Sequence, residues 1–153
     1  MNLFRKSKQV PVSYDEILPG EVIIDTGVSS VVASEYALKR FIEESKRLIN
    51  KPVIRMRSET KFRFANGAGG ESLGRFVVPF QINSHDGVLG IEVMPDCPSQ
   101  PPNKTPILIG MLELQRLGLI NDWEKMVISS PNVLGLDNIP YRFTKSGLMI
   151  INL

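Results

Sequence analysis

The spacing of apolar and polar residues changes several times along the chain. Glu21-Val22-Ile23-Ile24 is a short run rich in β-branched residues, which predicts a buried strand. Asp25-Thr26-Gly27 stops it abruptly. A second β-branched stretch, Val28 to Val32, predicts another strand. The period then becomes helical. Leu38, Phe41, Ile42, Ser45, Leu48 and Ile49 share one face of residues 35–49, and Glu35, Lys39, Arg40, Glu43, Glu44 and Arg47 fill the other. Ser34 stands where an N-cap belongs, and Asn50 and Pro52 end the helix.

From Val53 the period is two. Val53, Met56 and the run Lys61-Phe62-Arg63-Phe64 predict one long strand or two short ones. Residues 65–70, Ala-Asn-Gly-Ala-Gly-Gly, form a turn, and Phe76 to Ile82 is the return strand. Pro79 within it argues for an edge position or a bulge. Asn83 to Gly87 is a second turn, and Val88 to Val93 a further strand. Pro95 to Pro106 holds five of the eleven prolines and reads as a stiff loop. Ile107-Leu108-Ile109 is a short buried strand ending at Gly110. Met111 to Leu117 has room for two helical turns, with Gly118 suited to the C′ position. Trp123 with Met126-Val127-Ile128 predicts another strand, and Leu148 to Leu153 a terminal one. About seven short strands and two helices (35–49 and 111–117) predict an all-β fold built as a small closed barrel or sandwich. Residues 1–20 are polar and turn-rich, so the expected division is an N-terminal segment, 1–20, and one domain, 21–153.

Composition narrows the partners. At 153 residues and 42% apolar, the chain can bury one core. Eighteen Lys and Arg against sixteen Asp and Glu leave a net charge of +2, which gives no bulk attraction to nucleic acid or an anionic membrane. One Cys and one His exclude an internal disulfide framework and a His/Cys zinc site within one chain. No apolar run approaches the roughly 18–20 residues of a membrane span. Arg5, Lys6 and Lys8 are not followed by an apolar core, so a secretory signal is not expected and a cytoplasmic location is. No metal or cofactor is expected.

Asp25-Thr26-Gly27 is the sharpest chemical feature. It places an ionisable side chain at the lip of a buried strand, where its pKa can be shifted. Thr26 offers a hydroxyl that can lock the loop, and Gly27 permits a tight turn and a close approach. A turn in which Asp25 merely caps its own backbone is the structural alternative. The order of the rest sets that alternative back: apolar strand, Asp-Thr-Gly, a glycine-tipped hairpin, a strand, then Leu108-Ile109-Gly110 and a short helix. This order resembles the retropepsin family, the aspartic proteases of retroviruses and retrotransposons, over about residues 20–118 and the C-terminal strand. The helix directly after the Asp-Thr-Gly loop is most similar to the transposon-type members.

The resemblance implies a role for each matching position. Asp25 matches the catalytic aspartate. Thr26 matches the residue whose hydroxyl grips the partner loop, and Gly27 completes the signature. Asn66, Gly67, Ala68, Gly69 and Gly70 match the tip of the flap that closes over a bound peptide. Leu108, Ile109 and Gly110 match the strand that crosses under the catalytic loop. Leu148 to Leu153 match a strand that joins an intersubunit sheet. Val28 stands where the family has Ala and the pepsin-like branch Ser. Because the chain holds a single Asp-Thr-Gly, the resemblance implies a symmetric homodimer through the active-site loop and the C-terminal strand, with one Asp25 from each copy. Its activity would be hydrolysis of a peptide or polyprotein, such as that of a retrotransposon. The alternative is a retropepsin-like module that dimerises and binds peptide without cutting it.

Other readings are weaker. Ser84-His85-Asp86 has the residue types of a hydrolase triad, but sequence neighbours cannot converge on one point. With Gly87 next, a hairpin turn is the better reading. Cys97, in the proline-rich loop, has only the distant His85 as a potential partner and reads as a plain thiol. An aspartyl-phosphate enzyme wants a second Asp at position 27, which is Gly. Residues 67–70 are not followed by Gly-Lys-Ser/Thr and are no phosphate loop. Arg55, Arg57, Lys61 and Arg63 alternate with Phe62 and Phe64, a pattern that can bind single-stranded nucleic acid. More commonly such a strand has one solvated face and one core face, so nucleic acid is not the expected partner.

Overall fold

The computed structural model describes residues 17–63, 69–96 and 102–153. The chain order is β1 (Glu21–Ile24), β2 (Val32–Ser34), α1 (Glu35–Leu48), β3 (Ile54–Met56), β4 (Lys61–Arg63), β5 (Gly69–Glu71), β6 (Arg75–Ile82) and β7 (His85–Met94). There follow β8 (Leu108–Ile109), α2 (Met111–Leu117), β9 (Ile120–Asp122), β10 (Val127–Ser129), β11 (Ile139–Phe143) and β12 (Met149–Asn152). The architecture is mostly β. Ten strands form one sheet in the order β3-β6-β7-β2-β8-β1-β12-β11-β10-β9, and β4 and β5 form a separate hairpin.

The sheet is not closed, which corrects the expected barrel. Its two ends are three-residue strands, β3 and β9, each paired on one side only. Ile54, Met56 and Ile120 on those ends are 56%, 51% and 61% exposed, so the end strands are not packed against one another.

β1 lies near the middle, parallel to β8 and antiparallel to β12. Both of its faces are covered, which is why it reads as a continuous apolar run. Val22 enters the main core with Ala33, Phe41, Val78, Ile91, Ile109 and Ile151. Ile23 points the other way into a smaller cluster with Ile17 and Ile150. Glu21, also buried, accepts two hydrogen bonds from the Arg142 guanidinium, at 2.7 and 3.2 Å, and one from the Leu18 N–H at 2.7 Å.

The helix boundaries follow their caps. Ser34 Oγ accepts from the Ala37 N–H at 3.2 Å and donates to the Thr105 carbonyl at 2.7 Å. Ala37, Leu38, Phe41 and Ser45 form the buried face of α1, whereas Leu48, expected there, is 58% exposed. Gly118 ends α2 in the left-handed region at φ 59°, as expected.

Proline explains two further details. β3 covers only Arg75–Val77 of β6, so Pro79 has a strand on one side alone, and its carbonyl accepts from the Ser45 hydroxyl. β11 escaped the sequence reading because Pro140 interrupts it. The strand changes partner there, pairing with β10 at Ile139–Pro140 and with β12 at Tyr141–Phe143. The strand expected over Val28–Val32 begins only at Val32, and Trp123 is a 70% exposed turn residue between β9 and β10.

The resemblance implied that β12 joins an intersubunit sheet. Within the chain it is interior to the sheet, with β1 on one side and β11 on the other over Met149–Ile151. Among the described residues no helix is long and apolar enough to cross a membrane.

Candidate active site

The site is built where β1 leaves the sheet. The Asp25 N–H donates to the Ile109 carbonyl at 3.0 Å and prolongs the parallel pairing by one residue. The chain then turns. Val28 N–H donates back to the Asp25 carbonyl at 3.3 Å, and Gly27 N–H donates to Asp25 Oδ1 at 2.9 Å. The carboxylate is thereby held by its own loop and stays half-buried at the lip.

The loop also caps a helix. Gly110 precedes α2 and has no side chain to cap it. The first free N–H groups of α2 go to loop carbonyls instead: Met111 N–H to Val28 O at 2.8 Å, and Leu112 N–H to Ser29 O at 3.0 Å. Such an approach needs glycine. A Cβ on Gly110 would lie 2.5 Å from Ser30 O and 2.6 Å from Val28 O. Asp25, Thr26, Gly27, Ile109 and Gly110, five of the positions singled out in the sequence, are therefore drawn together. Val28 and Ser29, whose carbonyls cap α2, were not read as site residues. Their backbone role leaves no mark on side-chain type.

Among the described residues the Thr26 hydroxyl has no hydrogen-bond partner and the residue is exposed. Neither the Ser29 nor the Ser30 hydroxyl reaches the Asp25 carboxylate; its contact is the Gly27 N–H. A cavity of about 200 Å³ lies against Ile24 and Ile109, and a second, of about 340 Å³, is lined by Ile24, Met111, Leu114 and Met149. Asp25 lines neither.

Gly69 and Gly70 are placed apart from the loop, in the β4–β5 hairpin, opposite Arg63 and Phe62. Asn66, Gly67 and Ala68 lie outside the described residues, as does Cys97. The stem of the hairpin is tied to the sheet. Leu73 N–H donates to Val93 O at 2.9 Å, and Val93 N–H to Gly74 O at 3.1 Å. Ser72 Oγ donates to Glu92 Oε2 at 2.8 Å, and Glu92 N–H donates to Val31 O at 2.9 Å. Glu92 is 8% exposed. A charge inside Leu89-Gly90-Ile91-Glu92-Val93 was the available sequence signal for this tie.

Of Ser84-His85-Asp86, only Ser84 is in the hairpin turn; His85 and Asp86 open β7, paired with Ile82 and Gln81. Asn83 and Ser84 take positive φ, 47° and 65°, between β6 and β7. The Asp86 carboxylate is engaged by Lys51 Nζ at 2.9 Å and Gln81 Nε2 at 3.2 Å, not by His85. Among the described residues no cluster of three His, Cys, Asp or Glu could hold a metal ion.

No protein-family model matches the chain, and no curated protein matches it in sequence.

Proposed function

We propose that the chain is one half of an aspartic endopeptidase of retropepsin type, completed by a second copy. The observation that carries this reading is the crossing of the Asp25-Thr26-Gly27 loop over Gly110, locked by the bonds to Ile109, Val28 and Ser29. Hydrolysis of a peptide by carboxylates needs one group to take a proton from water and one to give a proton to the carbonyl oxygen. Two carboxyls about 3 Å apart share one proton, since both cannot be ionised at that distance. This chain offers one such group, so the other Asp25 comes from a partner across a twofold axis.

The mechanism follows. The ionised Asp25 draws a proton from a water between the pair, and the oxygen attacks the scissile carbonyl carbon. The protonated Asp25 donates to the carbonyl oxygen. Collapse of the tetrahedral diol breaks the C–N bond and passes a proton to the leaving amine. No covalent enzyme intermediate forms. Since β12 is paired on both sides, the proposed interface is centred on the loop, where the unengaged Thr26 hydroxyl is available to the partner's loop. The β4–β5 hairpin serves as the cover over an extended substrate.

Asp25→Asn tests the reading. The variant is expected to fold and dimerise while its cleavage of a peptide library falls by about 10³-fold or more. Undiminished cleavage removes Asp25 from the chemistry. A dimer that binds statine-type inhibitors but cuts nothing in the wild-type form supports the peptide-binding module instead.

A further inference from the structure

The charge of this chain is segregated. Residues 54–75 carry five cations, Arg55, Arg57, Lys61, Arg63 and Arg75, against two acids, Glu59 and Glu71, an excess larger than the +2 of the whole chain. All five cations are exposed. Among the described residues none lies within ion-pair distance of a carboxylate; the ion pairs fall on α1, α2, Lys51–Asp86 and Glu21–Arg142. The hairpin register accounts for part of this. Lys61 is opposite Glu71, but Arg63 is opposite Gly69 and has no side chain across from it. Arg55 is steadied by neutral groups, donating to Leu73 O at 2.7 Å and lying 5.6 Å from the centre of the Phe76 ring. The stem of this basic unit is bonded through Glu92 to Val31, directly after the Asp25–Ser30 loop.

From this placement we infer that the β4–β5 hairpin selects extended peptides rich in Asp and Glu. The inference rests on the proposed role of the hairpin as the cover of the site. Unpaired cations on a cover attract an acidic chain and align it, and they disfavour a basic one. An acidic peptide fits better than a nucleic acid. Lys61 and Arg63 lie on the hairpin and Arg55, Arg57 and Arg75 on the segments that flank it, a short stretch of a nearly neutral chain, whereas a strand of phosphates needs a continuous basic track.

The test reads binding rather than turnover. Fluorescein-labelled peptides with acidic, neutral or basic flanks are titrated into the Asp25→Asn protein and followed by anisotropy at low salt. The acidic peptide is expected to bind about fivefold tighter than the neutral one, and the preference to shrink below about twofold at high salt. Lys61→Gln combined with Arg63→Gln is expected to bring the ratio near one. Equal binding of the three peptides, no binding of any of them, or a preference that survives the double substitution overturns the inference. So does a single-stranded oligonucleotide that displaces the acidic peptide more effectively than unlabelled peptide does. If the acidic preference is found while the wild-type protein cuts nothing, the inference stands and the peptidase reading falls.

Discussion

The Asp25 loop and the β4–β5 hairpin are held in opposite ways. The loop is fixed by backbone on backbone: four hydrogen bonds within itself and to Ile109, Met111 and Leu112, over a glycine with no space for a methyl group. Beneath it, Val22, Ile23, Ile109 and Ile150 are almost completely buried. The hairpin is a three-residue ladder with exposed charges, tied to the sheet at its stem by Ser72–Glu92 and the Leu73–Gly74 bonds to Val93. The difference fits the two tasks proposed for these regions. A reacting carboxylate must be held within a fraction of an ångström, whereas a cover must let substrate in and product out. Low local stability is the condition for the second task and a defect in the first.

The contrast is broken most severely at Gly110. Gly110→Ala sets a methyl against the carbonyl oxygens of Ser30 and Val28, neither of which is a flexible side chain that can swing away. The loop must part from α2, exposing the Met111 and Leu112 N–H groups. The expected cost is about 3 kcal/mol of unfolding free energy, with loss of cleavage. Chemical denaturation and a peptide assay check it. A variant as stable and active as the wild type would show that the crossing is loose.

Ser72→Ala probes the other region. It removes the hydroxyl that donates to Glu92 and accepts from the Gly74 N–H, leaving a nearly buried carboxylate without that bond. The expected loss is about 1–2 kcal/mol. Amide exchange should quicken in residues 61–63 and 69–71 but not at Asp25, and KM should rise more than kcat falls. Equal acceleration at both places would mean that loop and hairpin open as one unit.

The sequence exposed the first region far better than the second. A β-branched run, a turn with an acid, and an apolar triplet ending in glycine were legible because burial and the glycine requirement both act through side-chain type, and the family resemblance then implied that Asp25 lies beside Gly110. The cap at Ser34, the helix behind it and the lone-sided position of Pro79 were legible for the same reason. What escaped depends on pairing between distant segments. The sequence does not say that β11 switches partners at Pro140, that β12 fills the gap between β1 and β11, or that the end strands stay apart. Each is decided by which backbone edge is already occupied. The capping of α2 by Val28 and Ser29 is of that kind too.

The smallest effect lies away from both regions and separates two kinds of pH dependence. The Asp86 carboxyl is held below its ordinary value of 3.8, first by the hydrogen bond from Lys51 and then by that from Gln81. A lowered folded-state pKa favours the folded chain at all pH above the unfolded value, and that contribution fades as pH falls through the lowered midpoint. Asp86 is solvent-exposed at the far end of the β6–β7 hairpin, so the contribution to stability is slight. Lys51→Met should move the Asp86 titration, read by carboxyl carbon NMR, back up toward its ordinary value. If cleavage runs by the proposed paired-carboxylate mechanism, its acid limb should stay where it was, because neither Lys51 nor Asp86 belongs to the proposed pair. A cleavage limb that shifts together with Asp86 would trace the acid dependence to unfolding, and the loop would lose its claim to it.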